Sequence, residues 1–121
     1  MKKSKILSSI DKPSSKFIAK TLTLETDANS DLKLTAESKN KTKLQAVLTW
    51  REVHKILFLL SELWVNPNDT RLIRVLRFHN SGFELDYLTF YFCHPDQIEG
   101  QESYRISVDF NEFENAIKAV V

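Results

Sequence analysis

The sequence predicts an α+β domain built from antiparallel strands and two helices. Two observations carry this prediction: apolar residues alternate along several segments, and each half of the chain contains a capped helix start. Thr49 and Asp109 are favourable N-cap residues, and each has a glutamate three positions later that can complete a capping box. The two starts lie 60 residues apart in a chain of 121 residues, which indicates a repeated plan within one domain.

The predicted layout is one antiparallel sheet of about six strands with both helices on one face. Each half, 16–66 and 70–121, supplies three strands and then a helix, in the order βββα-βββα. Short turns join the strands within each half, and such turns permit only antiparallel pairing because parallel strands need a long crossover. Residues 1–15 are rich in lysine and serine and are predicted to form a flexible basic tail that precedes the domain.

The first half owes its predicted strands to three sets of alternating apolar residues separated by polar turns. These sets are Ile18, Leu22 and Leu24; Leu32, Leu34 and Ala36; and Leu44, Ala46 and Leu48. A helix is predicted to follow from Trp50 to about Val65, with Leu60, Leu63 and Trp64 in its apolar stripe. Phe58 falls outside that stripe among polar side chains, so it is either covered by another segment or available to a partner.

The second half repeats this pattern around a hairpin. Strands are predicted for 72–78, 83–92 and 104–108, and a terminal helix follows Asp109. The turn at Asn80–Gly82 is expected to place Arg77 opposite Glu84. Arg74 and Arg77 are then the expected ion-pair partners of Glu84 and Asp86, which makes a structural role for these carboxylates more favourable than catalysis.

Several classes of chemistry find no support in the sequence. The two glycines, Gly82 and Gly100, do not form a glycine-rich phosphate loop, and the three histidines lack metal-ligand spacing. Cys93 and His94 are adjacent, so on a strand they would point to opposite faces and could not act as a nucleophile and its base. We therefore predict no catalytic residue, no cofactor and no metal site, and a protein that is not an enzyme.

The charge and apolar patterns bear on location. The net charge is +1, but residues 1–49 carry ten lysines against five acidic residues, and the remainder is acidic. The longest apolar run, 56–60, is far shorter than the roughly 20 residues that span a bilayer. With a single cysteine and no complete signal peptide, the sequence predicts a cytoplasmic protein that does not enter a membrane.

Two binding functions remain. The first is a small module that engages a protein partner or forms a homodimer, with Phe58, Trp50 and Trp64 as its interface residues. The alternative is a single-stranded nucleic-acid-binding protein, in which lysines would contact phosphates and sheet tyrosines would stack on bases. The residues predicted for this alternative are Lys33, Lys39, Lys41, Lys43, Tyr87 and Tyr91.

Overall fold

A computed structural model describes residues 3–11, 18–26, 29–59, 61–65, 72–93 and 104–121. These residues form eight strands, two α-helices and one short 3-10 helix, all in the described part of the chain. The elements are β1 (Ser4–Ser8), β2 (Ala19–Thr26), β3 (Leu32–Ser38), β4 (Lys43–Leu48), α1 (Trp50–Leu57), β5 (Glu62–Trp64), β6 (Leu72–Asn80), the 3-10 helix Ser81–Phe83, β7 (Leu85–Phe92), β8 (Tyr104–Asp109) and α2 (Phe110–Val120).

The strands form two four-stranded antiparallel sheets. The first sheet has the order β1-β2-β3-β4, and the second has the order β5-β6-β7-β8. The predicted α+β class with antiparallel strands is therefore confirmed, whereas the prediction of six strands in a single sheet is wrong. The two additional strands, β1 and β5, are short, and their local sequences carry little alternation.

Strand β1 lies inside the segment predicted to be a flexible tail. It pairs with β2 from Ser4 opposite Glu25 to Ser8 opposite Thr21. Leu7 is its one buried side chain, so the strand depends on backbone pairing more than on an apolar face. Residues 1, 2 and 12–15 of the predicted tail lie outside the described residues.

Helix α1 is shorter than predicted. It ends at Leu57, Phe58 is its C-cap, and Glu62–Trp64 pairs with β6 as a strand. The backbone N–H of Arg77 donates to the carbonyl of Ser61 at 2.8 Å, so the backbone after the helix forms its hydrogen bonds with the second sheet. Trp64 therefore belongs to strand β5 and not to the predicted apolar stripe of α1.

The β6–β7 hairpin also differs from the predicted register. Strand β6 continues to Asn80, which pairs with Leu85, and the turn ends at Glu84 in the left-handed region, with φ 54°. Arg77 therefore lies opposite Leu88 and not opposite Glu84. Its predicted ion pair with Asp86 is confirmed, with Nη2 2.8 Å from Oδ2.

Both sheets and both helices contribute to one apolar core. The most deeply buried side chains include Leu22, Leu34, Ile56, Phe90 and Phe113. Helix α2 contacts strands of both sheets. At the C-terminal end of α2, the hydroxyl of Thr26 donates to the carbonyl of Val120 at 2.7 Å. Where the two sheets meet, the N–H of Ile10 donates to the carbonyl of Ser107 at 2.9 Å.

Both predicted N-caps are confirmed. At Thr49 the capping box is complete: the hydroxyl accepts the N–H of Glu52, and the Glu52 carboxylate accepts the N–H of Thr49. At Asp109 the carboxylate accepts the N–H of Glu112 at 3.0 Å. Each cap satisfies a donor that would otherwise lack a partner in the first turn.

One arginine ties four segments of the chain together. The Arg77 guanidinium donates Nε and Nη2 to the two carboxylate oxygens of Asp86, at 3.0 and 2.8 Å, and donates Nη1 to the carbonyl of Leu59 at 3.1 Å. Its guanidinium carbon lies 3.8 Å from the ring centroid of Phe110. Because bidentate hydrogen bonds favour the charged forms, the pKa of Arg77 is raised and the pKa of Asp86 is lowered from their ordinary values.

The caps predict a measurable loss of stability. We expect Thr49→Ala and Asp109→Ala each to lower the free energy of unfolding by about 0.5–2 kcal/mol, the usual effect of removing an N-cap. Chemical denaturation monitored by circular dichroism measures this loss. Asn111→Ala, at an exposed position in the first turn of α2, is the control and should change stability little. Equal midpoints for all three variants and the unmodified protein would contradict the capping role.

The Arg77–Asp86 pair predicts how stability depends on pH. The folded protein holds the pKa of Asp86 below its ordinary value of about 3.9, so in acid the unfolded chain binds this proton first. The pair therefore stabilises the fold above about pH 4, and this contribution is lost as pH falls through the folded-state pKa. We expect Asp86→Asn to be less stable near neutral pH and the gap from the unmodified protein to narrow towards roughly pH 2.

Urea titrations over this pH range test the expectation. Glu84→Gln removes an exposed carboxylate from the same hairpin and controls for a general effect of charge. A stability gap between Asp86→Asn and the unmodified protein that stays constant from neutral to acidic pH would show that the carboxylate contributes no such linkage.

Candidate interaction surface

The outward side of the second sheet presents a row of aromatic and arginine side chains. Trp64 of β5 lies opposite Arg74 of β6, Arg74 opposite Tyr91 of β7, and Tyr91 opposite Arg105 of β8. Directly opposed residues share one side of a sheet, and the neighbouring row of Val75, Phe90 and Ile106 is buried in the core. We call the outward side of β5–β8 the aromatic–arginine face.

Arg74 fixes the two rings beside it. Its guanidinium carbon lies 4.4 Å from the ring centroid of Tyr91 and 5.3 Å from that of Trp64. Nη1 also lies 3.4 Å from a carboxylate oxygen of Glu62. Each cation–π contact of this kind contributes about 0.5–1 kcal/mol at an exposed site, so contacts within the protein itself order the row.

A second aromatic pair lies further along the same face. Phe78 and Tyr87 are opposed across β6 and β7, and their ring centroids are 5.0 Å apart. Between this pair and the arginine row, the hydroxyls of Thr89 and Ser107 are buried and lie 2.7 Å apart, within hydrogen-bond distance. The face therefore has aromatic rings at both ends of its strands, and the hydrogen-bonded hydroxyls of Thr89 and Ser107 lie between them.

Exposure distinguishes Trp64 from the other rings of this face. Its side chain is 62% exposed, and that of Phe78 is 43% exposed, whereas Tyr87 and Tyr91 are half-buried. Burying a large apolar side chain yields about 1.5–3 kcal/mol, so an exposed tryptophan held in place by a cation leaves free energy that a partner can recover. Arg105, at the other end of the row, is also exposed.

The structure separates the three residues predicted for a protein interface. Trp50 packs against the core, and its Nε1 donates to the carbonyl of Ser30 at 2.6 Å, so it anchors the turn between β2 and β3. Phe58 is 78% exposed at the end of α1, with its ring nearly parallel to that of His54 at a centroid distance of 6.4 Å. Trp64 lies on the aromatic–arginine face, where Arg74 and Tyr91 accompany it.

The residues predicted for nucleic-acid binding occupy two sheets. Tyr87 and Tyr91 lie on the second sheet, whereas the four lysines belong to the first sheet and its β3–β4 turn. Lys33 lies 3.7 Å from a carboxylate oxygen of Glu25, and Lys43 is directly opposite Glu37. Lys39 and Lys41 are exposed in the turn, where Lys41 has a positive φ of 66°.

Sequence reasoning missed Arg74, Arg105 and Phe78 as parts of this surface. The predicted register, with Arg77 opposite Glu84, did not place Arg74 opposite Tyr91, although the alternation of Arg74 and Phe78 along β6 was visible. The decisive neighbour was not, because Trp64 had been placed in a helix and β5 was not predicted. Only the pairing of β5 with β6 brings the indole to Arg74.

The described residues contain no cluster of metal-binding side chains. Among them, no group of three or more His, Cys, Asp and Glu side chains is arranged to hold a metal ion. Cys93 is buried at the end of β7, and His94 lies outside the described residues. In the described part of the chain, no helix is long and apolar enough to cross a membrane.

Comparison with known proteins adds no relative. No protein-family model, no curated protein and no solved structure matches this chain.

The exposure of Phe58 predicts a sharp contrast with its helical neighbour Ile56. We expect Phe58→Ala to change the free energy of unfolding by less than about 0.5 kcal/mol, as for other surface substitutions. Ile56→Ala removes a fully buried side chain and should cost about 2–5 kcal/mol. Urea denaturation of both variants measures the difference. A loss of several kcal/mol for Phe58→Ala would mean that another segment covers its ring in solution.

Proposed function

We propose that this protein is a small non-enzymatic binding module that engages a protein partner through the aromatic–arginine face. The single observation that carries the proposal is Trp64, 62% exposed and held beside the Arg74 guanidinium at 5.3 Å. Tryptophan, tyrosine and arginine are the residues that most often dominate the binding energy of protein interfaces. Here all three types occur in one cross-strand row.

The order of this row favours binding. A flexible side chain loses conformational freedom when it is immobilised in an interface, at a cost of about 0.5–1.5 kcal/mol for each rotamer-rich residue. Arg74 contacts both rings and pairs with Glu62, so much of that ordering accompanies folding. A partner therefore meets a surface whose central side chains are already positioned.

The chemistry of the face defines the partner. Trp64 and Phe78 would be buried by apolar or aromatic side chains. Arg105, exposed at the far end of the row, would donate hydrogen bonds to a carboxylate. The fitting partner is a protein surface with an apolar centre and an acidic group at one side.

A single-stranded nucleic acid is the second candidate. Exposed rings and arginines on a sheet can stack on bases and contact phosphates, which is the observation in its favour. Phosphate contacts depend on cations whose charge is not already compensated. Lys33 and Lys43 have glutamates as cross-strand neighbours, and Arg74 is paired with Glu62, so we rank this function below protein binding.

We also place the module in the cytoplasm. The support is its single cysteine, Cys93, which is buried and not in a disulfide, as is usual for proteins in a reducing compartment. The proposal assigns no cofactor and no catalytic step to the chain.

A paired capture experiment tests the proposed function. Immobilised protein is incubated with extract from its own source cells, and bound proteins are quantified for the unmodified chain, Trp64→Ala, Arg105→Glu and Phe83→Ala. Phe83 is the matched control, because it is an exposed aromatic in the hairpin turn and is not part of the cross-strand row. We expect at least one protein to be retained equally by Phe83→Ala and to fall about tenfold with Trp64→Ala and Arg105→Glu, as for a hot spot.

Two results would overturn the proposal. In the first, every captured protein is retained equally by the Trp64→Ala variant. In the second, a single-stranded oligonucleotide binds tightly, weakens steeply between low and high salt, and is lost in Trp64→Ala. The second result would assign the same face to nucleic acid.

A further inference from the structure

We propose that two copies of this chain associate by pairing β1 with β1 across a two-fold axis at Ile6. This inference concerns the first sheet and is independent of the aromatic–arginine face. Strand β1 is the terminal strand of the first sheet, with β2 on one side. Among the described residues, no strand pairs with its other side.

The backbone groups that point towards this open edge can be identified. The N–H of Ser9 donates to the carbonyl of Lys20 in β2, whereas the N–H of Ile10 donates away from β2, to Ser107 of β8. Because N–H directions alternate along a strand, even-numbered residues of this segment direct their backbone groups away from β2. Ser4, Ile6 and Ser8 therefore direct N–H and C=O groups towards the open edge, where no strand within the described residues pairs with them.

This edge is complementary to itself. In an antiparallel pair centred on Ile6, the two Ile6 residues form a hydrogen-bonded pair on the axis, and each Ser4 faces the Ser8 of the other copy. Those are the same three residues whose backbone groups point outward. A register shifted by one residue would oppose outward groups with inward ones, and a register shifted by two would leave part of this three-residue set unpaired, so the pairing centred on Ile6 is the one that uses all three residues.

Ile6 gains most from the association. It is 68% exposed at the centre of β1, opposite Thr23 on the outward side of the first sheet. In the two-fold pair it would lie against the Ile6 of the second copy, as cross-strand neighbours do. An isolated exposed isoleucine would thus become one half of an apolar contact.

Charge complementarity supports the same arrangement. A groove of about 480 Å³ runs between β1 and α2, and Lys5, Ser8, Glu112 and Asn115 are among the residues that line it. The hydrogen bond from Thr26 to Val120 places the end of α2 near Ser4, because Glu25 pairs with Ser4. The start of α2, with Glu112, therefore lies towards Ser8.

The two-fold pairing also gives Lys5 an ion-pair partner in the second copy. In the two-fold pair each Lys5 stands opposite Leu7 of the second copy, next to Ser8 and hence near the Glu112 of that copy. A lysine on an edge strand normally discourages pairing with another strand. Here the same lysine meets a carboxylate across the axis, so association brings two Lys5–Glu112 pairs together.

A charge exchange tests the proposal. Sedimentation velocity over a range of protein concentrations gives the dissociation constant of the dimer for the unmodified chain, Lys5→Glu, Glu112→Lys and the double variant. We expect each single change to raise this constant about tenfold and the double variant to return to within about threefold of the unmodified protein. Lys39→Glu, in the exposed β3–β4 turn, is the control for net charge and should have no such effect.

Amide hydrogen exchange provides a second readout that does not depend on any variant. As protein concentration rises, the N–H of Ile6 should become protected, whereas those of Lys5 and Leu7, already paired with β2, should not change. Sedimentation as a monomer at all concentrations would overturn the proposal. So would a dimer that keeps Ile6 exchange unchanged, or one abolished by Trp64→Ala and insensitive to Lys5→Glu.

Discussion

The bidentate bond between Arg77 and Asp86 is the interaction on which the second sheet depends. The same guanidinium holds the carbonyl of Leu59, and the backbone N–H of Arg77 holds the carbonyl of Ser61. These two bonds fix the path of the chain after α1 and set β5 against β6. Trp64 reaches Arg74 only because β5 lies there, so the arrangement of the aromatic–arginine face is a consequence of an ion pair on the opposite side of the sheet.

Local signals in the sequence were sufficient for much of the fold. The caps at Thr49 and Asp109 depend on residues three positions apart, and burial alternates over the whole length of β3 and β4. The end of α1 was beyond such signals. Apolar residues from Leu57 to Val65 suit a helix stripe and a strand equally, and the contact that decides between them comes from Arg77, which is 18 residues from Leu59.

The candidate surface was predictable in residue type and not in arrangement. Tryptophans and tyrosines could be singled out as anchors from their residue type. Composition does not reveal that the indole N–H of Trp50 donates to the carbonyl of Ser30, or that the side chain of Trp64 is exposed. The lysines of the first meander show the opposite case. The glutamates opposite Lys33 and Lys43 follow directly from the antiparallel register, so charge compensation at Lys33 could have been inferred from the predicted strands.

The bond between Thr26 and Val120 has a consequence for how the chain folds. It joins residues 94 positions apart, and the contacts of α2 with β1 and β2 likewise close very long loops. Such contacts cannot form until most of the chain has been arranged, and the entropy of closure is lost before they contribute. Topologies dominated by distant pairings fold over about milliseconds to seconds, so this domain is expected to fold slowly. The first sheet is covered only when α2, the last helix of the described chain, packs against it.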